Sequence, residues 1–320
     1  MERASPDPVV SVVVPLFNCL RLTQAMLESL DATWPAGVTR EIILVDDGST
    51  DGTPDWLASL TRPDVHVVLN ERNLGYAVSN NRGARLARGR ALVLLNNDLV
   101  LLPGWLEPLL AVQAELGSAA GVIGNVQYAV RDGALDHAGI RINAKGKPEH
   151  IRDLPPGAAP PWSFHRRIRV DAVTGACLMI GRDLWFRLGG LDEAYVNGCE
   201  DVDLCLRAAA AGRINLVALR SRALHHISSS QGRKDRDETN TFRLTRRWRD
   251  QLVALGARRW CHDFLIRDWS HPGCPAETAT AAAAALLYLL HLRSTPPPVA
   301  VNGMRAAIDR EIARWEALAA

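Results

Sequence analysis

The first hundred residues alternate between short apolar runs and segments with helical spacing, and this alternation constrains the fold more than any other feature. Residues 9–14, 41–45, 65–69 and 91–95 are rich in β-branched and other apolar side chains and are predicted strands. Residues 19–30, 54–60 and 75–87, which separate them, carry the spacing of amphipathic helices. A repeated strand–helix–strand order needs right-handed crossovers, so it predicts an α/β fold with a mostly parallel central sheet flanked by helices.

The pattern continues less regularly in the rest of the chain. Residues 103–116, 183–188 and 200–211 are predicted helices, and residues 170–180 and 214–219 are predicted strands. Residues 121–161 follow no regular period and include a proline-rich loop at 155–161. From residue 239 the chain has a helical character, with a last helix at 304–318. These patterns predict a first domain over residues 1–232 and a helical carboxy-terminal extension over residues 233–320.

Composition restricts the class of protein without identifying it. Hydrophobic residues make up 48% of the 320 residues and charged residues 22%, as in an ordinary soluble globular protein. The formal net charge of +2 gives no reason to expect a nucleic-acid partner. Between Arg233 and Arg259, however, nine Lys or Arg residues accompany four acidic ones. This basic segment fits a peripheral contact with a membrane or an anionic acceptor, or equally a solvated helix packed on the first domain.

Cysteine usage and the apolar segments bear on location. The six cysteines form no CxxC pair and no zinc-type spacing, which indicates a reducing compartment and a cytoplasmic location. Residues 1–8 are short and polar and do not have the pattern of a signal peptide. The alanine-rich residues 279–290 fall short of the roughly 20 residues needed to span a bilayer. We therefore expect a packing helix there, which also offers a contact surface for a homo-oligomer.

Polar clusters follow several of the predicted strands. In Asn96-Asn97-Asp98 an apolar run ends abruptly on two amides and a carboxylate. Ligands of open α/β sheets bind at the carboxyl ends of strands. One carboxylate with amide neighbours suits Mg²⁺ or Mn²⁺, which then takes its other ligands from phosphate and water. A polar turn after a buried strand would use the same residues, so the other clusters must distinguish the two interpretations.

Two further clusters fit a nucleotide. Asp46 and Asp47 end a predicted strand and precede Gly-Ser-Thr-Asp, so their carboxylates can accept hydrogen bonds from a base or a ribose. The same run also suits a turn or a helix cap. Gly75, two residues after Asn73, begins a predicted helix whose free N–H groups favour anions. No GxGxxG motif follows the first strand, which argues against dinucleotide binding.

The last cluster combines acidic residues with a later histidine pair. Glu200, Asp201 and Asp203 crowd the start of a predicted helix, where the helix dipole stabilises negative charge by about 0.3–1 kcal/mol. A cap needs a single acid, and we assign that role to Asp203. His225 and His226 follow a predicted strand. A histidine pair is more often structural than a ligand, but a neutral imidazole here could complete the coordination begun by Asp98.

Six motifs in this order resemble those of family 2 glycosyltransferases, especially the bacterial rhamnosyltransferase-like members. The motifs are Val12-Val13-Val14-Pro15-Leu16-Phe17-Asn18, Asp46-Asp47-Gly48-Ser49-Thr50-Asp51, Asn73-Leu74-Gly75, Asn96-Asn97-Asp98, Thr174-Gly175-Ala176-Cys177 and Glu200-Asp201-Val202-Asp203. The resemblance covers residues 9–232. It implies a GT-A fold, with a nucleotide-sugar-binding half at 9–116 and an acceptor-binding half at 117–232.

The resemblance also implies roles for single residues. Asp201 matches the general base of inverting members and has Glu200 beside it. Asp98 and His225 match metal ligands, with His226 as the alternative to His225. Asn96 stands where the DxD motif of the family has its first Asp, so the expected metal site relies on one carboxylate. Asp47 matches the carboxylate that binds the base or ribose, and Asp46 is expected to share that role. The other residues expected at the nucleotide are Pro15, Phe17, Asn18, Asn73, Gly75, Asn96 and Asn97, and those expected at the acceptor are Gly175, Ala176 and, outside the match, Trp248.

These roles predict an inverting, metal-dependent glycosyltransferase of cell-surface polysaccharide or glycan synthesis. Its donor would be a nucleoside-diphosphate sugar, with dTDP-rhamnose or a UDP-hexose favoured by the rhamnosyltransferase likeness, and its acceptor a glycan or a lipid-linked sugar. Two other classes share the fold. A nucleotidyltransferase would carry a glycine-rich phosphate loop where this chain has Pro15-Leu16-Phe17-Asn18. A non-catalytic binding module would have no need of Asp98, Asp201 and His225.

Overall fold

The computed structural model describes residues 9–154, 166–226, 237–267 and 276–319, which group into two compact units. The first unit contains the residues up to Ile140 and from His150 to Asp237. The second contains Arg141–Glu149 and the residues from Glu238 onward. The domain boundary predicted at residue 232 and the proline-rich loop predicted at 155–161 lie outside the described residues.

The first unit consists of strands and helices in alternation. The strands are β1 (Val10–Leu16), β2 (Arg40–Asp46), β3 (Val65–Leu69), β4 (Ala91–Leu95), β5 (Leu99–Leu101), β6 (Ala120–Ala129), β7 (Leu135–His137), β8 (Ile140–Ile142), β9 (Pro148–His150), β10 (Arg167–Arg169), β11 (Cys177–Gly181) and β12 (Ile214–His225). The strands β8 and β9 form a small separate sheet, of which only Ile140 and His150 belong to the first unit. The helices are α1 (Leu20–Thr33), α2 (Thr53–Ser59), α3 (Tyr76–Leu86), α4 (Glu107–Leu116), α5 (Arg182–Leu188) and α6 (Glu200–Ala210).

Strand pairing brings the ends of several strands together at one edge of the central sheet. The strands β1, β2, β3 and β4 are parallel, as predicted, in the order β4-β1-β2-β3. The strand β11 runs antiparallel between β4 and β6, and β12 is parallel to β6. The carboxyl ends of β1, β2, β4 and β12 and the amino end of β11 therefore meet at the same edge. This mixed α/β sheet confirms the predicted fold class.

The apolar runs form strands because both faces of the sheet are covered. Every residue of β4 is buried, and in β1 only Pro15 is partly exposed. Fully buried parallel strands are expected to be continuous apolar runs rather than alternating ones. Helix α3 packs closely on this layer, since a Cβ added to Gly83 would lie 2.5 Å from Cγ1 of Val13.

Two predictions for the second half of the first unit were wrong. Residues 170–180 were predicted as one strand, but β11 begins only at Cys177, which is paired with Leu95 at the end of β4. A strand extends only as far as its partner, so residues 174–176 form a loop. Residues 121–161 were predicted to be irregular, but β6 is a ten-residue strand of the central sheet. Its buried polar residues Asn125 and Gln127 interrupt the apolar pattern and bond to each other at 3.1 Å.

The second unit is helical. It contains α7 (Asp237–Arg247), α8 (Arg249–Arg267), α9 (Ala276–Leu289) and α10 (Pro298–Ala319). The first residue of α7, Asp237, is the last residue of the first unit. Its core joins α8, α9 and α10 through buried side chains of Val253, Ala257, Cys261, Ala285, Ala300, Met304 and Ile308. None of the helices that the structure describes is both long and apolar enough to cross a membrane.

Candidate active site

Asp98 and His225 come together at the carboxyl edge of the sheet. Asp98 lies in the turn between β4 and β5, and His225 is the last residue of β12, where it pairs with Leu99 of β5. The pairing brings Nε2 of His225 to 3.5 Å from Oδ1 of Asp98. His226, the alternative ligand, uses its backbone N–H to donate a 2.9 Å hydrogen bond to the carbonyl oxygen of Asp98.

The other ring nitrogen of His225 faces a second carboxylate. Its Nδ1 lies 3.2 Å from Oδ2 of Asp136, a buried residue of β7. Burial alone would lower the pKa of His225, but the hydrogen bonds and negative charges of Asp136 and Asp98 outweigh it and raise that pKa to about 9. The histidine thus lies between two carboxylates.

The residues at this position fit a divalent cation. A carboxylate oxygen and an imidazole nitrogen are both good ligands for Mn²⁺, and at 3.5 Å they are close enough to share one ion. Asn96 lies two residues before Asp98. Its Oδ1 is buried and has no hydrogen-bond partner among the described residues. Within the described ranges no group of three or more His, Cys, Asp or Glu side chains is arranged to hold an ion. An ion bound here would take two ligands from Asp98 and His225.

The acidic cluster at the start of α6 separates into three environments. Asp201 is half-buried, and its Oδ2 accepts a 2.8 Å hydrogen bond from the backbone N–H of Gly175. Glu200 is buried, and its Oε2 accepts from the backbone N–H of Gly198 at 2.6 Å. Asp203 is fully buried and forms a 2.7 Å ion pair with Arg207. The expectation that Asp203 caps the helix was wrong, because this helix end has no side-chain cap.

Tyr76 connects the start of α3 with the loop that holds Asp201. Its hydroxyl donates a 2.7 Å hydrogen bond to the carbonyl oxygen of Gly175, and its backbone N–H donates to Oδ1 of Asn197 at 3.1 Å. Burial and the negative charges of Glu200 and Asp201 raise the pKa of Tyr76 well above its usual value, so the phenol remains a donor.

The same loop is bonded to the turn that carries Asp98. The backbone N–H of Asn96 donates a 2.9 Å hydrogen bond to the carbonyl oxygen of Ala176. Gly175 and Ala176 therefore connect the Asp201 carboxylate to the turn that carries Asp98. Both residues are buried, and Ala176 is only 4% exposed, so they contribute mainly backbone groups to the site.

The two aspartates at the end of β2 have different environments. Oδ1 of Asp47 accepts hydrogen bonds from Nδ2 of Asn70 at 2.8 Å and from the N–H of Leu74 at 2.9 Å, and its Oδ2 accepts from the N–H of Gly75 at 2.8 Å. Oδ2 of Asp46 accepts a hydrogen bond from the N–H of Ser49 at 3.2 Å. Oδ1 of Asp46 is buried and has no hydrogen-bond partner among the described residues. Asp47 holds the loop before α3, whereas Asp46 retains a free acceptor.

The remaining predicted residues divide between scaffold and open surface. Asn18 has a φ of 56° and holds the turn after β2, because its Oδ1 accepts from the N–H of Thr50 at 2.7 Å. Asn97 donates from Nδ2 to Thr23 of α1 at 2.9 Å. Phe17 is 44% exposed, Asn73 is exposed and Pro15 is half-buried. Trp248 belongs to the second unit, where it is buried and lies under the guanidinium of Arg247.

Sequence reasoning missed Tyr76 and Asp136. Tyr76 directly follows Gly75 in a motif that was recognised, so its place at a helix start was a usable signal. Asp136 lies in a stretch that was predicted to be irregular, and nothing in its sequence neighbourhood indicates His225 as its partner.

Comparison with known proteins finds related sequences. The chain is 31% identical over 218 residues to an N-acetylglucosaminyl-diphospho-decaprenol L-rhamnosyltransferase of Mycobacterium tuberculosis, covering 60% of this chain and 68% of that protein. It is 31% identical to the O-antigen biosynthesis protein RfbC of Myxococcus xanthus over 70% of this chain. The chain spans only 18% of the length of RfbC and 28% of the length of another relative, from Sinorhizobium fredii.

The fold has counterparts among solved structures. The crystal structure of GalNAc-T7 with UDP, GalNAc and Mn²⁺ superposes with a TM-score of 0.63 at 19% identity, covering 87% of this chain and 54% of that one. At this identity the likeness shows a common GT-A fold. The model of the family described as "Glycosyl transferase family 2" matches residues 11–174, which include the Asp46, Asp47 and Asp98 segments. This match, together with the related sequences, shows that the chain belongs to glycosyl transferase family 2.

Proposed function

We propose that this chain is an inverting glycosyltransferase that moves a sugar from a nucleoside-diphosphate sugar to an acceptor hydroxyl. In this proposal Asp201 is the general base, and Asp98 and His225 hold a divalent metal ion. The observation that carries the proposal is the loop of Gly175 and Ala176. Its backbone bonds to Asp201 on one side and to the turn that begins with Asn96 on the other.

Asp98 and His225 would hold Mn²⁺ or Mg²⁺ beside the donor diphosphate. A metal bound there would neutralise the charge that develops on the diphosphate as it leaves. The imidazole nitrogen makes Mn²⁺ the better fit of the two. Asn96 departs from the DxD pattern, yet its buried Oδ1 supplies an uncharged oxygen where the family has a carboxylate.

Asp201 is suited to accept the proton of the attacking hydroxyl. It lies in the first turn of α6, where the positive end of the helix dipole attracts negative charge. The N–H of Gly175 fixes Oδ2, and a half-buried carboxylate can still reach the acceptor. Attack from the face opposite the departing diphosphate inverts the anomeric carbon in a single displacement, with Asp201 taking up the proton. Glu200, whose Oε2 accepts a hydrogen bond from the N–H of Gly198, would be a second carboxylate beside this base.

The donor nucleotide would contact the ends of β1 and β2. The free Oδ1 of Asp46 can accept a hydrogen bond from a base or ribose, and the exposed ring of Phe17 can stack on a base. The structure of GalNAc-T7, which has the same fold, was determined with UDP, GalNAc and Mn²⁺. The relative named as a rhamnosyltransferase favours dTDP-rhamnose or a UDP-hexose for this chain.

The acceptor would be a glycan or a lipid-linked sugar of cell-surface polysaccharide synthesis. The mycobacterial relative is named for a diphospho-decaprenol acceptor, and RfbC is named for O-antigen biosynthesis. Gly175 and Ala176 would line the acceptor side of the site. Trp248 was also expected at the acceptor, but this expectation was wrong, because its side chain is only 7% exposed within the second unit. The basic segment would contact an anionic surface, such as the cytoplasmic face of a membrane. Self-association through α9 stays a prediction.

The experiment combines a donor panel with two aspartate variants of the same helix. The purified chain is incubated with dTDP-rhamnose, UDP-hexoses and GDP-mannose in the presence of Mn²⁺, Mg²⁺ or EDTA, and nucleotide release is measured with and without a polyprenyl-diphosphate-sugar acceptor. We expect metal-dependent release with one donor, lost in EDTA. Asp201→Asn should lower turnover about 10²- to 10⁴-fold while the nucleotide still binds.

Asp203→Asn is the matched control. It removes a negative charge from the same helix turn, but its partner is Arg207, so we expect a lower melting temperature and little loss of turnover per folded molecule. Unchanged turnover in Asp201→Asn would remove that residue from the mechanism. Nucleotide binding without release from any donor would instead indicate a non-catalytic module.

A further inference from the structure

Asp136 is a buried carboxylate that the proposed reaction does not use directly. It lies in the middle of β7 and is 9% exposed. Its Oδ2 is 3.2 Å from Nδ1 of His225, while Nε2 of the same ring is 3.5 Å from Oδ1 of Asp98. One imidazole thus bridges a carboxylate on β7 and the carboxylate at the end of β4.

The position of Asp136 determines which ring nitrogen of His225 can bind a cation. An ionised carboxylate only accepts hydrogen bonds, so the nitrogen that faces Asp136 must carry the hydrogen. In the neutral ring Nδ1 is therefore the donor, and Nε2 presents its lone pair on the side of Asp98. Metal-binding histidines in proteins commonly donate their second N–H to a carboxylate in this way, which fixes both tautomer and ring orientation.

Asp136 is itself held in place by its surroundings. The strand β7 pairs with β6, with His137 opposite Gln127. The guanidinium of Arg152 lies 3.6 Å from Oδ1 of Asp136 and donates to its backbone carbonyl oxygen at 3.2 Å. The oxygen that faces His225 is thus not the one that faces Arg152, and the carboxylate can orient the ring while its charge is balanced on the other side.

We propose that Asp136 is a positioning residue for the metal site, which orients His225 so that Nε2 faces the cation held with Asp98. This inference rests on the proposed function, because it needs a metal at Asp98 and His225. A purely structural role is the competing explanation, in which Asp136 and His225 only join β7 to β12.

The test measures Mn²⁺ affinity rather than turnover alone. Mn²⁺ is titrated into the full chain, alone and with UDP, dTDP or GDP, and the free ion is followed by electron paramagnetic resonance. We expect Asp136→Ala to raise the Mn²⁺ dissociation constant roughly 10- to 100-fold. Asp136→Asn keeps an oxygen acceptor for the Nδ1 hydrogen and should lose less. Excess Mn²⁺ should restore much of the turnover of Asp136→Ala.

The matched control is Asp132→Asn. Asp132 lies four residues earlier, is exposed and is paired with Arg131, so its variant should bind Mn²⁺ like the original chain. Melting temperatures of all variants identify any loss of fold, and Asp136→Asn remains the decisive variant if Asp136→Ala unfolds. The positioning role would be overturned if folded Asp136→Asn and Asp136→Ala bound Mn²⁺ as tightly as the unsubstituted chain and differed from it only in a lower melting temperature.

The outcomes separate this inference from the proposed function. Sugar transfer without any Mn²⁺ binding by the original chain would overturn the inference and the metal site but leave the transferase. Mn²⁺ binding that weakens in the Asp136 variants, without sugar transfer to any acceptor, would support the inference and count against the proposed reaction.

Discussion

The hydroxyl of Tyr76 donates a 2.7 Å hydrogen bond to the carbonyl oxygen of Gly175, whose own N–H donates to Asp201 at 2.8 Å. Tyr76 is the first residue of α3, and the residue before it, Gly75, donates to Asp47 at the end of β2. The loop beside the expected nucleotide is therefore bonded to the loop that holds the proposed base. We expect changes at Tyr76 and Gly175 to affect turnover more than donor binding.

Tyr76→Phe removes a single hydroxyl and tests this connection. The lost hydrogen bond leaves the buried carbonyl of Gly175 with one donor fewer, at a cost of about 1 kcal/mol, and loosens the loop that orients Asp201. We expect the turnover number to fall by about 5- to 10-fold, with the dissociation constant of the donor nucleotide nearly unchanged. Tyr288→Phe, the same change in the second unit, is the control and should leave both values as they are. Equal turnover of the two variants would refute the connection.

Gly175→Ala tests the close approach of Tyr76 to the loop. A Cβ at this position would lie 2.8 Å from the Tyr76 hydroxyl oxygen and 3.2 Å from two ring carbons, so either the ring or the loop must move. Overpacking of this kind typically costs about 1–3 kcal/mol. We expect a larger loss of turnover than in Tyr76→Phe, measured at saturating donor. The combination Gly175→Ala with Tyr76→Phe should recover part of the stability, because the clashing oxygen is gone.

Gly303→Ala is the control for adding a methyl group. Gly303 lies inside α10 and has nothing within 4 Å of an added Cβ. Alanine in an open helix position should stabilise the chain by about 0.5–1 kcal/mol relative to glycine. A loss of turnover in this variant similar to that in Gly175→Ala would show that the site is sensitive to any such change.

Asp46 and Asp47 should respond differently to substitution by alanine. Asp47→Ala removes the acceptor of three hydrogen bonds, including two from the backbone of the loop before α3, and should destabilise the chain by about 2–4 kcal/mol. Asp46→Ala removes a carboxylate with a free Oδ1 and should weaken nucleotide binding with a smaller loss of stability. Chemical denaturation and calorimetric titration with UDP, dTDP or GDP measure the two effects. The reverse result would assign the nucleotide contact to Asp47.

Glu41 makes the stability of the sheet dependent on pH. This buried carboxylate accepts hydrogen bonds from Oγ of Ser11 at 2.5 Å and from the backbone N–H of Arg88 at 2.6 Å. Burial raises the pKa of Glu41, but these hydrogen bonds and the charge of Arg88 outweigh it and lower the pKa below 4.5. The carboxylate therefore contributes stability at neutral pH, which is lost as the pH falls below the ordinary value near 4.5 and through the lower value of the folded state.

Glu41→Gln tests this dependence. The variant should be less stable by about 1–3 kcal/mol at pH 7, because its amide cannot replace all the accepted hydrogen bonds. Between about pH 5 and pH 3 its free energy of unfolding should fall less steeply than that of the original chain. Parallel curves of unfolding free energy against pH for the two proteins would contradict the assignment.

Local patterns in the sequence determine the first half of the fold and nominate most of the site. The runs that form β1, β2 and β4 are mostly apolar because both faces of these strands are covered, and that requirement is visible in contiguous residues. Asp98, Asp201 and His225 are nominated by residue type, by their place after a strand or before a helix, and by a motif order typical of the family.

The tertiary structure decided which side chains meet. Only strand pairing places His225 between Asp98 and Asp136, and only the end of β4 at Leu95 makes residues 174–176 a loop rather than a strand. Likewise, Asp46 and Asp47 are identical in type and adjacent in the chain, yet one holds a loop and the other keeps a free oxygen. A hydrogen bond forms only if the distance between donor and acceptor is right to within a few tenths of an ångström. Here the two groups come from segments far apart in the chain, and residue spacing along the sequence does not record that distance.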